Sequence, residues 1–222
     1  MYPYNACMAS AESSLINFSQ HFLIAMPGME DSDFARSVVY VCEHTEQGAL
    51  GLCINKPQPG VLLPDLFAQL KMPLKRTDLQ DLPVCWGGPV QPERGFVLHH
   101  QYQKRLSDKT DADDGGKDGQ DDAVAWHYTS SLRIADGLQM TTSRDILEAL
   151  AEGGGPAPLF VTLGYSAWGR GQLESEVLQN SWLTVPANQA LIFDIPLDVR
   201  YEQAMQLLGV TPGSLAVQAG RA

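Results

Sequence analysis

The feature that most constrains the fold is the segment 159–183, LFVTLGYSAWGRGQLESEVLQNSWL. Its first five residues are apolar, which is typical of a buried strand. The glycines and aromatic residues that follow predict that the strand ends at Gly164 and that the chain turns in a corner over 164–171. A pattern typical of an amphipathic helix comes next. The segment therefore predicts a strand, a glycine-rich corner and a helix, an arrangement in which many proteins hold a ligand.

Short apolar runs interleave with helical patterns along the rest of the chain. Strands are predicted at 21–26, 38–42, 49–54, 84–86, 95–99, 124–128, 131–135 and 190–195. Helices are predicted at 64–71, from 142, after 171 and at 197–208. The strands at 38–42 and 49–54 are expected to form a hairpin whose loop spans 44–48. Many strands and about four helices predict one α+β (mixed α/β) domain built on a mixed sheet.

The composition changes sharply between residues 108 and 122, where seven aspartates, two lysines and three glycines occur without a large apolar residue. Such a segment cannot bury enough apolar surface to offset the entropy lost on ordering. We therefore expect a disordered acidic insertion at about 108–122 within a single domain spanning 15–212. Residues 1–14 are expected to form a flexible lead-in and residues 213–222 a mobile tail.

The formal net charge of −11 limits the classes of partner. A basic stripe for nucleic acid is not expected, and no helix-turn-helix pattern stands out, so direct nucleic-acid binding is disfavoured. No apolar run reaches the roughly 18 residues of a membrane-spanning helix, and the N-terminus lacks the pattern of a cleaved signal. The four cysteines form no C-x-x-C pair, which favours reduced thiols. These features predict a cytoplasmic protein with no membrane association, whose partner is an unidentified protein or small molecule.

Eight segments together carry a resemblance to a known family. They are HFLIAMP at 21–27, VVYVCEH at 38–44, GALGLCINKP at 48–57, WGGPV at 86–90, RGFVLH at 94–99, TTSRDILEAL at 141–150, GYSAWGRGQLESE at 164–176 and NSWL at 180–183. Their order and content resemble the YqgE/AlgH family of bacterial proteins, from about Gln20 to Pro212. No single segment is diagnostic, but eight in register are hard to obtain by chance.

The resemblance implies one compact domain with a strongly twisted mixed sheet, partly barrel-like, and helices packed around it. It also implies a cytoplasmic bacterial protein. The family is largely uncharacterised, and its AlgH name reflects a proposed role as a transcriptional regulator of exopolysaccharide synthesis. The resemblance supplies no catalytic residues. The chain departs from the family pattern at the long acidic insertion and at the N-terminal lead-in.

Three patterns come close to known chemical sites. Gly164–Trp168 nearly matches the nucleophile elbow G-x-S-x-G, but Trp168 occupies a position that needs a small residue, so a turn with an incidental serine is favoured. Cysteines and one histidine could be imagined as a zinc site, yet they lack a short chelating pair, and buried thiols are favoured. The aspartates at 111–116 lack the ligand spacing of an EF-hand. We therefore expect no catalytic residue, no metal and no cofactor.

The remaining candidates form a possible ligand or partner surface. Turns at strand ends, hydroxyls at a helix start and aromatic residues at the predicted corner could meet at one cleft. The candidate residues are Asn55, Lys56, Arg94, Thr142, Ser143, Arg144, Tyr165, Trp168 and Gly169. At the helix start, the hydroxyls are expected to cap the helix and Arg144 to pair with a surface carboxylate, in preference to a bound anion.

Two functional hypotheses follow. The favoured one is a non-enzymatic protein that acts by binding, with an indirect role in transcription. The alternative is an unassigned enzyme or small-ligand-binding protein with a cleft near the 164–171 corner. A deep pocket with convergent polar groups would favour the alternative, and a filled corner would favour the binding module.

Overall fold

A computed structural model of the chain describes residues 16–104, 123–125 and 127–210. The predicted lead-in, acidic insertion and tail lie outside these residues. Within them the strands are β1 (His21–Ala25), β2 (Val38–Thr45), β3 (Gly48–Cys53), β4 (Pro57–Leu62), β5 (Pro83–Trp86), β6 (Val90–His100), β7 (Tyr102–Lys104), β8 (Ala123–Ala125), β9 (Ser131–Arg133), β10 (Leu138–Thr141), β11 (Leu159–Gly169) and β12 (Trp182–Pro186). The α-helices are α1 (Leu63–Gln69), α2 (Arg144–Ala151), α3 (Gln172–Leu178), α4 (Gln189–Phe193) and α5 (Arg200–Leu207).

Ten strands form one curled sheet in the order β12-β1-β2-β3-β11-β6-β10-β9, with β4 and β5 attached beside β11. The β5–β11 pair is parallel and the other pairs are antiparallel, so the sheet is mixed. β7 and β8 form a separate hairpin. The prediction of an α+β fold on a twisted mixed sheet is confirmed, with five helices instead of about four.

Helices cover both faces of the sheet. On the first face, strand side chains such as Phe22 and Phe160 pack against residues of α4 and α5, including Ile192 and Met205. On the second face, Leu173 of α3 packs against the strands, and α1 and α2 enclose a further cluster. The apolar runs lack strict alternation because both faces are buried. None of the helices in the described residues combines the length and the apolar content needed to cross a lipid bilayer.

The central strand β11 corrects the prediction of a corner at 164–171. The strand continues through Gly164 to Gly169 and pairs with β3, β5 and β6. Gly164 has a φ of 72° and lies at a bulge between Leu163 and Tyr165, where a Cβ would stand 2.4 Å from the Gly88 carbonyl oxygen. Pairing along both edges therefore keeps the chain extended, and the glycine relieves crowding inside the strand instead of ending it.

Other boundaries also differ from the sequence-based expectations. The predicted strand at 190–195 is the helix α4, whose start is capped by Asn188: its Oδ1 accepts a hydrogen bond from Leu191 N at 2.9 Å. A short apolar run does not distinguish a strand from a buried helix, and the cap decides between them. The hairpin loop is shorter than predicted because β2 extends to Thr45 and β3 begins at Gly48. The local sequence patterns do not predict strands β4, β7, β10 and β12.

Candidate functional site

A groove of about 840 Å³ lies on the second face, between α3, the end of β11, the start of β12 and the loop that follows β1. We call it the tryptophan groove. The residues that shape its apolar part are Met26, Met29, Phe34, Trp168 and Trp182. Its volume falls within the range of about 300–1,000 Å³ that is typical of ligand sites.

Three aromatic rings form the floor of the groove. The Phe34 ring lies 5.5 Å from Trp182 and 6.4 Å from Trp168, and the two indoles meet edge to face at 6.1 Å. The indoles are nearly buried, at 6% exposure for Trp168 and 3% for Trp182. Aromatic pairs in such geometry add stability beyond the area they bury. The two indoles are therefore packed into the fold, while Phe34 on the loop is more exposed.

A single carboxylate organises the polar part of the groove. Glu176 Oε2 accepts hydrogen bonds from the indole N–H groups of Trp168 at 2.9 Å and Trp182 at 2.8 Å. Its Oε1 accepts one from Gln172 Nε2 at 2.9 Å. Gln172 and Glu176 are four residues apart on α3, so they share one side of the helix. The carboxylate thus fixes the orientation of both indoles.

The first turn of α3 is held in position by two side chains. Its second carboxylate, Glu174, contacts the buried His44, with 3.2 Å between Oε1 and Nε2. His44 Nδ1 accepts a hydrogen bond from Phe18 N at 3.0 Å, which leaves the proton on Nε2 for Glu174. In addition, Gly169 N donates a hydrogen bond to Gln172 Oε1 at 3.0 Å, at the start of the helix. The helix is held against the sheet by these contacts.

The loop wall of the groove is built by local hydrogen bonds. Asp31 Oδ1 accepts from Asp33 N at 2.8 Å and from Phe34 N at 3.2 Å. Met26 N donates to Ser181 O at 3.0 Å and joins the loop to the segment before β12. Residues 32–36 form consecutive turns. Asp31 starts these turns as an Asx turn does.

The groove is acidic. Of the described residues that line it, Glu30, Asp31 and Glu176 carry carboxylates and none is basic. Glu30 and Asp31 are exposed at the loop edge, while Glu176 lies at the aromatic floor. The groove therefore combines apolar walls with negative charge.

The structure separates the predicted aromatic candidates. Trp168 lines the tryptophan groove, and Gly169 adjoins it through its hydrogen bond to Gln172, but Tyr165 belongs to the first face, where its ring lies 5.3 Å from Phe96. Tyr165 lines a second pocket of about 340 Å³ together with Arg94 and Thr142. There Arg94 Nη2 donates to Thr142 Oγ1 at 3.0 Å. Trp168 therefore lies on the opposite face of the sheet from Tyr165, Arg94 and Thr142.

Asn55 and Lys56 make contacts within the fold. Asn55 Oδ1 accepts from Val38 N at 2.8 Å, and its Nδ2 donates to Arg36 O at 2.8 Å, so it fastens the start of β2. Lys56 Nζ donates to Asp33 O and lies 5.6 Å from the Trp86 ring. Lys56 therefore supports the loop behind the groove without lining it.

The helix start at α2 is arranged differently from the predicted cap. Ser143 occupies the N-cap position, but its side chain makes no capping hydrogen bond. Its Oγ donates instead to Asp145 Oδ1 and accepts from Ser130 N at 3.1 Å. Arg144 is exposed and donates from Nε to Glu148 Oε1 at 3.0 Å, which is the expected surface pair. The Asp145 carboxylate takes the place that the hydroxyl was expected to fill.

The near-match to a nucleophile elbow lies inside a strand. Ser166 is fully buried, and its Oγ donates to Gly87 O at 3.1 Å. The favoured alternative, a serine with no catalytic role, agrees with this geometry, although the local structure is a strand and not a turn. An elbow needs an exposed hydroxyl at a sharp turn, which this position does not provide.

The thiols of Cys42, Cys53 and Cys85 are free and buried. Burial raises the pKa of Cys85 to about 12 and lifts the pKa values of Cys42 and Cys53 above their ordinary range. These thiols therefore stay protonated at neutral pH. In the part of the chain that the structure describes, His, Cys, Asp and Glu side chains form no group of three that could hold a metal ion.

The sequence points to Trp168 but does not predict Phe34 or Glu176 at the groove. The signal for Glu176 is its spacing from Gln172 on the polar side of α3. Phe34 carries no local signal, because only the pairing of β12 with β1 brings its loop beside Trp182.

Comparisons with known proteins agree on one family. A family model described as AlgH-like, DUF179, matches residues 22–213. A UPF0301 protein of Polaromonas sp. is 52% identical over 96% of this chain and 100% of its own length. A UPF0301 protein of Paracidovorax citrulli is 53% identical over 96% and 99% of the two chains.

Two solved structures share the fold. The solution structure of the AlgH protein from Pseudomonas aeruginosa is similar with a TM-score of 0.68 and 41% identity, over 95% of this chain and 99% of that one. The crystal structure of a Corynebacterium diphtheriae protein matches with a TM-score of 0.58 and 20% identity, over 84% and 85% of the two chains. The second likeness concerns the fold alone.

Proposed function

The chain belongs to the AlgH-like family, DUF179, and we propose that it acts by binding a basic segment of a protein partner in the tryptophan groove. The observation that carries the proposal is the combination of an aromatic floor with three carboxylates and no basic residue among the described lining residues. The proposal concerns a binding function and assigns no catalytic step.

The chemistry of the groove defines the occupant. An aromatic or aliphatic side chain of the partner would pack on the half-buried Met26, Met29 and Phe34, where apolar area is removed from water. A neighbouring lysine or arginine would face Glu30 and Asp31 at the loop edge. Because these two carboxylates are exposed, their attraction for the cation weakens as salt is added. The occupant is therefore a peptide segment in which apolar and basic residues adjoin.

A role in transcription would follow indirectly from this binding. The net charge of −11 and the acidic groove both oppose contact with the phosphate backbone of DNA. A basic protein partner would instead be recognised through the groove. A cytoplasmic location belongs to the same proposal and is supported by the three free, buried thiols.

The test is a fluorescence anisotropy titration of the full chain with two labelled synthetic heptapeptides. In one, lysine alternates with tryptophan and leucine; in the other, glutamate replaces each lysine. We expect the lysine peptide to bind at least about tenfold more tightly, and its affinity to fall as sodium chloride is raised. Equal binding of the two peptides would overturn the proposal.

A matched pair of variants locates the binding site. Glu30→Gln removes an exposed carboxylate that lines the groove, whereas Glu152→Gln removes an exposed carboxylate at the end of α2. Both change the net charge equally. We expect Glu30→Gln to weaken the lysine peptide about two- to threefold and Glu152→Gln to leave it unchanged. An equal loss in both variants would show that total charge, and not the groove, attracts the peptide.

The alternative function, an enzyme or small-ligand binder, makes a different prediction. Native mass spectrometry of purified protein would then find a small molecule retained by the wild type and displaced by neither peptide. That result would replace the peptide with a small molecule as the occupant.

A further inference from the structure

A separate pocket of about 280 Å³ lies on the first face, between α4, the start of β11 and the segment that leads into α5. Its walls are mainly apolar and include Leu159, Phe160, Ile192 and Leu197. Arg200, at the first position of α5, also lines it. We call it the arginine pocket. It lies outside the tryptophan groove and shares no lining residue with it.

Arg200 is a buried cation that has only neutral partners. The residue is 5% exposed. Its Nη1 donates to Ile54 O at 2.6 Å and its Nε donates to Ile195 O at 2.8 Å. The guanidinium carbon lies 5.1 Å from the centre of the Phe160 ring. No carboxylate of the described residues forms an ion pair with it, although Asp194 lies at the exposed rim of the pocket.

This arrangement leaves both charge and hydrogen-bonding capacity unused. A buried charge is costly unless it is paired. Burial lowers the pKa of Arg200 to about 10, so the side chain stays charged at neutral pH. Within the described part of the chain, Nη2 has no hydrogen-bond partner. A guanidinium with a free terminal nitrogen beside an open pocket can accept an anionic group.

We propose that the arginine pocket binds a small amphipathic carboxylate, with its carboxylate group on Arg200 and its short apolar chain against Phe160, Ile192 and Leu197. The carboxylate supplies the missing counter-charge and accepts a hydrogen bond from Nη2. The apolar walls exclude a strongly hydrated anion without an apolar body, because such an ion would lose its water without gaining contacts. An amine of the same shape would be repelled by the guanidinium.

The test uses the full chain labelled with ¹⁵N and titrated with hexanoate, hexanol and hexylamine while amide and arginine Nε–H signals are recorded. We expect hexanoate to shift the Nε–H of Arg200 and the amides of Ile192 and Leu197 saturably. Its affinity should exceed that of hexanol by about tenfold or more, the range for hydrogen bonds to charged groups. Hexylamine should not bind there.

Variants separate the charge from the shape of the pocket. Arg200→Lys keeps the charge but loses the planar fork, and we expect it to weaken hexanoate at least about fivefold without changing hexanol. Leu197→Trp fills the pocket and leaves Arg200 in place, so both ligands should be lost. Equal affinity of hexanoate and hexanol for the wild type would overturn the proposal, as would shifts confined to residues of the tryptophan groove. Because these ligands and signals differ from those of the peptide experiment, each proposal can fail alone.

Discussion

The tryptophan groove and the arginine pocket handle charge in opposite ways. In the groove, the Glu176 carboxylate receives three hydrogen bonds, and two further carboxylates face solvent at the loop edge. In the pocket, the Arg200 guanidinium is enclosed and forms no ion pair with a carboxylate of the described residues. The groove therefore offers a screened attraction for cations, whereas the pocket offers a buried and weakly screened attraction for one anion.

One strand connects these two regions. Phe160 near the start of β11 lines the arginine pocket on the first face, and Trp168 near its end lines the tryptophan groove on the second. The two residues are separated by an even number of positions, so a regular strand would place them on the same face. The bulge at Gly164 reverses the alternation and sends them to opposite faces. The bulge is thus the structural reason why Phe160 and Trp168 contribute to opposite faces.

The largest expected effect comes from replacing the glycine at that bulge with a residue that has a side chain. Gly164→Val places a Cβ 2.4 Å from Gly88 O at a residue with a φ of 72°. We expect a loss of at least about 3 kcal/mol in the free energy of unfolding, because the backbone is strained and the contact is with backbone. Urea titration followed by circular dichroism measures it. Binding at both sites should fall together.

Gly169→Ala is the matched control on the same strand. A Cβ there meets only Gln172 Oε1 at 3.8 Å, and the φ of Gly169 is not positive. We expect a change below about 1 kcal/mol. If Gly164→Val were as mild as the control, the bulge would tolerate a side chain and would not require a glycine.

The bulge also shows what could be predicted from the sequence and what could not. The strand at 159–163, the helix after 171 and the burial of Cys42, Cys53 and Cys85 follow from local patterns, and they are confirmed. The continuation of β11 does not follow, because it depends on hydrogen bonds with β3, β5 and β6, whose paired residues lie 60 or more positions away in the chain. Pairing of this kind overrides a local glycine signal.

Contacts between distant parts of the chain also decide which residues meet at the candidate sites. The residue type of Trp168 favours a place at a ligand or partner surface. Its separation from Tyr165, however, depends on the register at the bulge. The sequence does not predict Arg200 as a site residue, because an arginine at a helix start is usually a surface residue. Its burial arises only when α5 packs over Ile54 and Phe160. Local patterns therefore predict residue types at a site better than they predict which residues meet.

Replacing Arg200 tests the role of the buried cation in the arginine pocket. In Arg200→Met, the carbonyls of Ile54 and Ile195 lose their donor, and each unsatisfied buried group costs about 1–3 kcal/mol. Part of this loss is offset because the desolvated charge is also removed. We expect a net loss of about 2 kcal/mol in the free energy of unfolding.

Arg36→Met is the matched control for this change. Arg36 is an exposed arginine that pairs with Glu202, and its guanidinium lies 4.6 Å from the Tyr201 ring. We expect a loss of at most about 0.5–1 kcal/mol by urea titration. Equal losses in the two variants would mean that Arg200 behaves as an ordinary surface residue.

The buried thiol next to the arginine pocket predicts a dependence on alkaline pH. Burial is the main reason why the pKa of Cys85 rises from 9.0 to about 12 in the folded chain. Between these values the folded state holds a proton that the unfolded state has released, so stability is full below pH 9 and falls as pH rises. From pH 8 to pH 10, this one thiol lowers the free energy of unfolding by about 1.4 kcal/mol.

Cys85→Ala removes that contribution. The variant starts less stable because it leaves a small cavity, but its loss between pH 8 and pH 10 should be about 1.4 kcal/mol smaller than that of the wild type. Urea titrations at the two pH values measure the difference. Parallel losses in both proteins would show that Cys85 titrates normally in the folded state.

The smallest effect concerns one hydrogen bond on the second face. Trp168→Phe keeps an aromatic ring in the groove but removes the N–H that donates to Glu176 Oε2. The carboxylate keeps its bonds from Trp182 and Gln172, so we expect a loss of only about 1 kcal/mol in the free energy of unfolding. The indole of Trp182 is then held by a less constrained carboxylate, and the lysine peptide should bind about threefold more weakly.

Trp86→Phe is the matched control, since Trp86 also packs on Phe34, at 5.6 Å, but does not line the groove or contact Glu176. It should leave peptide affinity unchanged. If Trp168→Phe and Trp86→Phe weakened the peptide equally, ring area alone would explain binding. A loss confined to Trp168→Phe assigns it instead to the carboxylate that orients the indoles, because only that variant removes a bond to Glu176.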